Sequence, residues 1–353
     1  MFIKSIHLTN FRNQQDYHLD FSSVTILIGS NGIGKTNILE GVYLASTGRS
    51  WRTSHDWEMT NWVSDFSRIT VELEKATNEH KLELFWQKGE KLIKQLKING
   101  VKHRLIDLLG VVPAVLFSPE TIELLSGSPS ARRRFLDVIL SQTNRQYALN
   151  LLEYTKVLRE RNKLLAHIKN HRSKPDELDF WDNKLVELGI YIVNMRQEAI
   201  KCFNKSLSAN YEKISGQKLK LNLRYKNSVE PERFGEILAA SRQREIELGT
   251  TAYGPHRDDF LFILDKREVA TFCSRGEFRS VILALKMAEL DYLAYKVGEK
   301  PILLLDDIFS ELDADRRMHL AKIVEGQQTM ITTTDLDHIE KGLRQRAKIV
   351  EIG

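Results

Sequence analysis

The segment Gly29-Ser30-Asn31-Gly32-Ile33-Gly34-Lys35-Thr36 constrains this chain more than any other feature. It has the Gly-x-x-x-x-Gly-Lys-Thr spacing of a phosphate-binding loop. The run before it, VTILIG from Val24 to Gly29, is apolar and rich in β-branched residues, as a buried parallel strand should be. Behind Lys35, apolar residues at Ile38, Leu39, Val42 and Ala45 mark one helix face. Strand, loop and helix together aim backbone N–H groups and a helix N-terminus at an anion. The glycines let the backbone approach phosphate without a Cβ in the way. Lys35 is placed to reach the β- and γ-phosphates, and the Thr36 hydroxyl to ligate Mg²⁺. The segment predicts ATP and Mg²⁺ as cofactors. Kinases, transporters, GTPases and DNA machines all use such a loop, so it does not name the chemistry.

A second acidic site must hold the magnesium. PILLLDDIFSELD, Pro301 to Asp313, offers a fully apolar run, Ile302 to Leu305, ending in Asp306-Asp307. The first acid at such a strand end belongs to the Mg²⁺ shell, and the next can orient or deprotonate attacking water. This strand lies roughly 270 residues beyond the loop. Compact kinases and GTPases place their acid much closer, whereas ABC-type ATPases place it far away, after a signature turn. Ser274-Arg275-Gly276-Glu277 supplies that turn, with Phe278, Val281, Ile282, Leu285, Leu290 and Leu293 striping the helix behind it. Ser274-x-x-Glu277 also reads as a capping box that satisfies free N–H groups at the helix start. The two readings are compatible, because in ABC-type dimers this helix start meets the γ-phosphate of the other protomer. Ser274 is therefore a catalytic candidate in trans, Gly276 a nucleotide contact, Asp306 a metal ligand and Asp307 the catalytic acid.

The two halves of the site must fold together, so the middle of the chain is an insertion. Residues 68 to 103 read as strands, with Asn99-Gly100 signalling a type I′ hairpin. Beyond Ser130 the period becomes helical. Leu151, Tyr154, Leu158, Leu165 and Ile168 form one seam, and Trp181, Leu185, Leu188, Ile192, Met195, Ala199 and Cys202 another. KNHRSKPDELD carries the turn between them. An antiparallel helical hairpin follows, its first arm about 30–35 Å long. The expected division is 1–118 as the N-terminal part of the ATPase lobe, 119–249 as an inserted helical lobe, and 250–353 carrying the signature and the acid strand. The fold class is α/β, an ABC-type P-loop ATPase head.

Net charge is +5 and the pI near 9.0, which permits an anionic partner without requiring one. Lys156, Arg159, Arg161 and Lys163 line the first arm, and Lys169, Arg172 and Lys174 cluster at its tip. Each alone reads as a solvated helix face. As a set on one elongated element they suit phosphate contacts along DNA. Arg132-Arg133-Arg134 can equally be structural partners of carboxylates. In Tyr253-Gly-Pro-His256-Arg257-Asp258-Asp259, adjacent acids on a strand face opposite ways, which argues against a metal cluster. Cys202 and Cys273 are the only cysteines, so a disulfide framework is not expected and a reducing cytoplasm fits. No apolar stretch approaches the roughly 18 residues of a membrane span.

The whole set of segments resembles the RecF family of bacterial DNA-repair ATPases, kin to the heads of SMC proteins. It is carried by LTNFRN (Leu8 to Asn13), the loop with GRSWR, LFSPETIELLSGSPSARRRFLD (Leu116 to Asp137), YGPHRDDF, SRGEFR, LLLDDIFSELD and ITTTD (Ile331 to Asp335). The resemblance implies an ATP-driven homodimer of heads that grips double-stranded and gapped DNA. It implies slow, DNA-stimulated ATP hydrolysis, and recombinase loading with RecR and RecO. It places Arg12 and Asn13 beside the nucleotide, and YGPHRDD at a lobe junction that transmits nucleotide state. The family has glutamine where this chain has Glu277. An acid there preserves the capping box but sets a negative charge near a phosphate contributed in trans, which works against pairing. Thr334-Asp335 stand where transporter ATPases carry a switch histidine, with His338 a little later. The competing reading is a soluble ABC-type subunit powering transport or another non-DNA assembly, and DNA-stimulated turnover separates the two.

Overall fold

The computed structural model describes residues 1–75, 78–90 and 92–353. In chain order, β1 (Phe2–Phe11), β2 (Gln14–Asp20) and β3 (Val24–Ile28) precede α1 (Lys35–Thr47). β4 (Phe66–Lys75), β5 (Asn78–Gln87), β6 (Ile93–Ile98), β7 (Val101–His103) and β8 (Ala114–Phe117) follow. Then come α2 (Glu123–Ser126), α3 (Pro129–Thr143), α4 (Arg145–Lys169), α5 (Leu178–Phe203) and α6 (Leu207–Ser215). Next are β9 (Leu221–Lys226), α7 (Phe234–Leu248), β10 (Asp259–Leu264), β11 (Arg267–Glu268), α8 (Val269–Phe272) and α9 (Arg275–Val297). The chain closes with β12 (Ile302–Asp306), α10 (Ile308–Glu311), α11 (Ala314–Val324), β13 (Thr329–Thr333), α12 (Lys341–Arg346) and β14 (Lys348–Glu351).

Two compact units result. The first comprises residues 1–121, 210–217 and 279–353, and the second 122–209 and 218–278. The expected boundary near 118 sits close to this division. The expected one at 249/250 lies at 278/279 instead. The reason is β10, which pairs with β9 and so keeps residues 250–278 with the helical insertion. The signature turn therefore belongs to the second unit, while most of α9 behind it belongs to the first.

In the first unit a parallel sheet runs in the order β14-β3-β13-β12-β8. Every residue of β8, β12 and β13 is buried, which explains the apolar runs Ala114–Phe117 and Ile302–Leu305, while β13 buries three threonines beside them. β13 lies between β3 and β12 and pairs in parallel with both, so the turns after β3 and β12 leave from the same edge of the sheet. An antiparallel sheet, β2-β1-β4-β5-β6-β7, supplies the other layer. Along β4, Ile69, Val71 and Leu73 turn inward while Phe66, Arg68 and Glu72 stay exposed. α1 fills the space between, and one core joins residues of both sheets to Ile38, Leu39 and Val42. The Asn99-Gly100 turn has φ of 52° and 80° between directly paired Ile98 and Val101, the type I′ geometry expected of this dipeptide.

In the second unit α4 and α5 form the expected antiparallel hairpin. At 25 residues the first arm spans about 37 Å, slightly longer than expected. Its inner stripe is Tyr154, Val157, Arg161, Leu165 and Ile168, whereas Leu151 and Leu158 are only half-buried. The seam passes through a charged residue. Arg161 is fully buried and reaches Asp182 Oδ1 at 2.6 Å, Glu245 Oε2 at 2.7 Å and Thr251 Oγ1 at 2.8 Å. Arg161 is thus removed from the basic outer face of the arm and is a structural centre of the helix pack.

YGPHRDD knits the second unit from inside. Arg196 Nη1 donates to the Pro255 carbonyl at 2.7 Å. Tyr154 donates to His256 Nδ1 at 2.7 Å, and His256 Nε2 faces the Thr251 carbonyl at 3.3 Å. A carbonyl can only accept, so Nε2 carries the ring proton and Nδ1 accepts from the tyrosine. Asp258 takes hydrogen bonds from Tyr225 and the Ser228 amide, while Asp259 pairs bidentately with Arg132 at 2.7 and 2.9 Å. The two acids thus take separate partners. Arg133 donates to the Asp258 carbonyl. Arg132 and Arg133 are structural, and no cluster of three His, Cys, Asp or Glu side chains suited to a metal occurs among the described residues.

Candidate nucleotide-binding site

The phosphate-binding loop leaves β3 and enters α1 at Lys35. Ser30, Asn31 and Gly32 are exposed, while Gly34 and Lys35 are buried. Gly34 has φ of 118°, a conformation that favours glycine, and a Cβ there would press on the side-chain ends of Gln14 and Asn13. Gly29 is pressed against the Ile352 carbonyl, 2.6 Å from where a Cβ would stand. Lys35 Nζ lies across the loop, donating to the Gly29 and Ser30 carbonyls at 2.6 and 2.8 Å. Burial lowers the pKa of this ammonium, and Asp307 and Asp306 oppose that shift.

Asp306 ends β12 and faces the loop. Its Oδ1 accepts from Thr36 Oγ1 at 2.8 Å and from Thr332 Oγ1, on β13, at 2.8 Å. Burial pushes its carboxyl above the usual range, and the hydroxyls of Thr332 and Thr36 oppose this. A hydroxyl and a carboxylate converging beside a phosphate loop are hard oxygen donors of the kind Mg²⁺ takes. The residues fit the ion. Thr36 and Asp306 would hold it, and phosphate oxygens and water would complete its shell. When bound, Mg²⁺ neutralises charge on the β- and γ-phosphates.

Asp307 is held differently. Its φ is 51°, the left-handed region that non-glycine residues seldom enter. Its amide donates to Thr332 Oγ1 at 2.9 Å, and its carbonyl accepts from Ser310. Its Oδ1 is buried and has no hydrogen-bond partner. A strained backbone presenting an unsatisfied carboxylate oxygen is what a residue that engages a reactant requires.

Asn13 lies against the loop, its Nδ2 donating to the Ile33 carbonyl at 2.8 Å and its Oδ1 accepting from Asn37 at 2.7 Å. Arg12, next to it in the same turn, is anchored by an acid of α1. Its guanidinium is taken up bidentately by fully buried Glu40, at 2.9 and 2.7 Å, and by the Glu58 carbonyl. It positions the β1–β2 turn that carries Asn13. Arg52 joins the same centre, donating to Asn37 Oδ1 at 2.7 Å and Glu40 Oε2 at 3.3 Å. Glu40, Asn37 and Arg52 bond to the residues beside the loop and Thr332 bonds to Asp306, partners that pattern reading did not single out. A signal existed for Glu40, a lone acid amid the buried positions of α1.

In the second unit the capping box forms at the start of α9. The Ser274 amide and hydroxyl both donate to Glu277 Oε2 at 2.8 Å, and the Glu277 amide donates to Ser274 Oγ at 3.3 Å. These bonds from Ser274 hold the Glu277 carboxyl below its ordinary range. Gly276 lies in the first turn behind Ser274. The basic candidates divide by environment. Arg159 and Lys163 are exposed but share Glu160, at 3.3 and 3.2 Å. Lys169, Arg172 and Lys174 at the hairpin tip are exposed and form no ion pair among the described residues.

Residues 2–351 match the family model described as the RecF/RecN/SMC N-terminal domain. The chain is 36% identical over 354 residues to the DNA replication and repair protein RecF of Lachnoclostridium phytofermentans, covering 100% of this chain and 98% of the relative. It is 38% identical over 367 residues to the protein of that name from Bacillus cereus strain B4264, covering 100% and 97%. Among solved structures it is similar to the recombination mediator RecF with ATP, at 34% identity and a TM-score of 0.90, covering 96% of this chain and 93% of that one. An Smc head bound to the C-winged helix domain of ScpA shares the fold at 14% identity and a TM-score of 0.57, covering 99% of this chain and 94% of that one.

Proposed function

The chain belongs to the RecF family, within the RecF/RecN/SMC group of ATPase heads, and from that membership we propose that it is an ATP-dependent DNA-binding protein of replication and recombinational repair. The observation that carries the reading is the meeting of Thr36 and Asp306 beside an unpartnered Asp307 oxygen. That arrangement suits binding ATP with Mg²⁺ and then hydrolysing it slowly, with Asp307 orienting the attacking water. ATP joins two copies head to head, each lending Ser274 and Gly276 to the nucleotide held by the other. The pair grips gapped or double-stranded DNA, the hairpin tip meeting phosphates. DNA stimulates turnover, and hydrolysis resets the clamp. The solved relatives are recombination mediators of the RecFOR pathway. The same pathway supplies this chain's partners, RecR and RecO, with recombinase loading as the outcome and the cytoplasm as the setting. No helix among the described residues is long and apolar enough to cross a membrane.

Sedimentation velocity tests this directly. The chain alone should run as a monomer, with ATP and Mg²⁺ as a dimer, and with duplex DNA added as a heavier DNA-bound dimer. ATP binding without any change in sedimentation, with or without DNA, would refute the clamp.

A further inference from the structure

The antiparallel sheet of the first unit turns one face to the core, and its other face is unusual. Phe66 on β4 and Phe85 on β5 stack there, with ring centroids 6.0 Å apart and planes inclined by 29°. Arg68 lies directly opposite Phe85 in the strand pairing, its guanidinium 5.7 Å from the ring centroid. Ile93, beside Gln87 on β6, is 48% exposed. Immediately before β4 a turn displays Trp62, 97% exposed, and Val63, 82% exposed.

This display is braced. The Ser64 amide donates to the Asn61 carbonyl at 3.1 Å and the Val63 amide to Asn61 Oδ1 at 3.2 Å, closing the turn around the two apolar residues. Asn61 is itself tied to β1 and its turn, its amide donating to Asn10 O at 2.8 Å and its Nδ2 to Arg12 O at 2.9 Å. On the far side the Lys88 amide donates to Asp65 O at 2.7 Å. The brace is the same Asn10–Asn13 turn that carries Asn13 to the phosphate loop. A large apolar side chain held in water on a rigid turn gains nothing for the fold.

Charge indicates what covers this face. Lys97 on β6 and Lys102 on β7 stand directly opposite each other, a like-charge pairing that disfavours the sheet. Glu83 neighbours Lys97 across β5, yet neither lysine nor Arg68 forms an ion pair among the described residues. A protein partner would call for an apolar core with few charges. Flat rings, a stacked guanidinium and unpaired lysines on one pleated surface instead suit a polyanion that carries planar groups.

We propose that the outer face of β4–β6, with the Trp62 tip, is a stacking platform for unpaired bases of single-stranded or gapped DNA. This rests on the DNA-binding reading above and assigns its single-strand contacts to named side chains. Phe66, Phe85 and Trp62 take base faces, and Arg68, Lys97 and Lys102 take the phosphates between them.

The test uses the full chain and fluorescence anisotropy with two labelled probes, an oligothymidine of about 16 nucleotides and a blunt duplex of matching length. Trp62→Ala and Phe66→Ala should each weaken oligothymidine binding by about five- to hundredfold. They should leave duplex affinity and ATP binding unchanged, and Trp62→Tyr should restore most of the loss. Trp62 is almost fully exposed, so its variants should fold. Unchanged oligothymidine affinity in both alanine variants overturns the platform, including the case in which this face serves a protein. An equal loss on duplex also overturns it. If the parent chain binds neither probe, the DNA reading itself fails. If the parent binds both and the variants match it, only the platform fails.

Discussion

Thr36 Oγ1 donates to Asp306 Oδ1 at 2.8 Å across 270 residues of chain. The bond exists because β3 and β12 flank β13 in one parallel sheet and end at the same edge. It joins the loop that grips phosphate to the strand that carries the acids, so loss of function at either end is separable by what survives.

Lys35 is the one fixed cation in the phosphate loop. Lys35→Ala should weaken ATP binding by about 10- to 150-fold, the range of a hydrogen bond to a charged group. The fold should stay cooperative, since the ammonium bonds only loop carbonyls. Calorimetric titration with ATP and Mg²⁺ measures this, and unchanged affinity would remove Lys35 from the site.

Asp307→Asn and Ser274→Arg should fail in opposite directions. Asparagine tolerates the left-handed backbone, so Asp307→Asn should fold normally yet hydrolyse ATP about 10²–10⁴ times more slowly. Its ATP-bound dimer should then accumulate. Ser274→Arg should bind ATP as a monomer, because a bulky side chain blocks close approach of the partner copy. Ser274→Ala separates the cap from the trans contact, since the cap alone accounts for about 0.5–2 kcal/mol of stability. Sedimentation with ATP reads assembly in all three, phosphate release the Asp307→Asn rate and urea denaturation the Ser274→Ala cap, and a Ser274→Arg chain that still dimerises excludes the composite site.

Stability should fall in mild acid through His256. Burial lowers this imidazole from 6.5 to about 4 in the folded chain. Above 6.5 both folded and unfolded forms are neutral and stability is full. Between 6.5 and about 4 the unfolded chain takes up a proton that the folded chain refuses, so stability drops as pH falls. The loss attributable to this group is at most roughly 3 kcal/mol. His256→Gln keeps an acceptor for Tyr154 and a donor for Thr251, so its urea midpoint should change less over the same window. A variant with the parent's full slope would clear His256 of the effect.

DNA affinity should fall steeply with salt and depend little on sequence, because the chain offers cations but no base-reading helix motif. Replacing Lys169, Arg172 and Lys174 with glutamine should lower the salt slope by about 2–3, close to one per lost phosphate contact. Arg159→Gln should change it little, since Glu160 already pairs with that guanidinium. Titrations at several salt concentrations decide whether the tip touches DNA.

Local features were readable from the chain alone. A parallel strand buried on both faces is written as an apolar run, so Val24–Ile28 and Ile302–Asp306 announce themselves, and Asn99-Gly100 states its own turn. The long interval between loop and acid required an insertion, and the shift to three-four spacing marked its helical hairpin. Side-chain partnership was not readable, because it depends on residues brought together from distant segments. Arg161 looked like one more cation on a basic arm until the hairpin closed it onto Asp182 and Glu245. The acid that anchors Arg12 was equally hidden until α1 presented Glu40. His256 met Tyr154 of α4, and Asp258 met Tyr225 of β9, only once distant segments packed together. A charge in sequence carries only its sign. Whether it meets water, a carboxylate or a ligand is set by the burial and distance that folding imposes, and in water-poor surroundings those two quantities govern its energy.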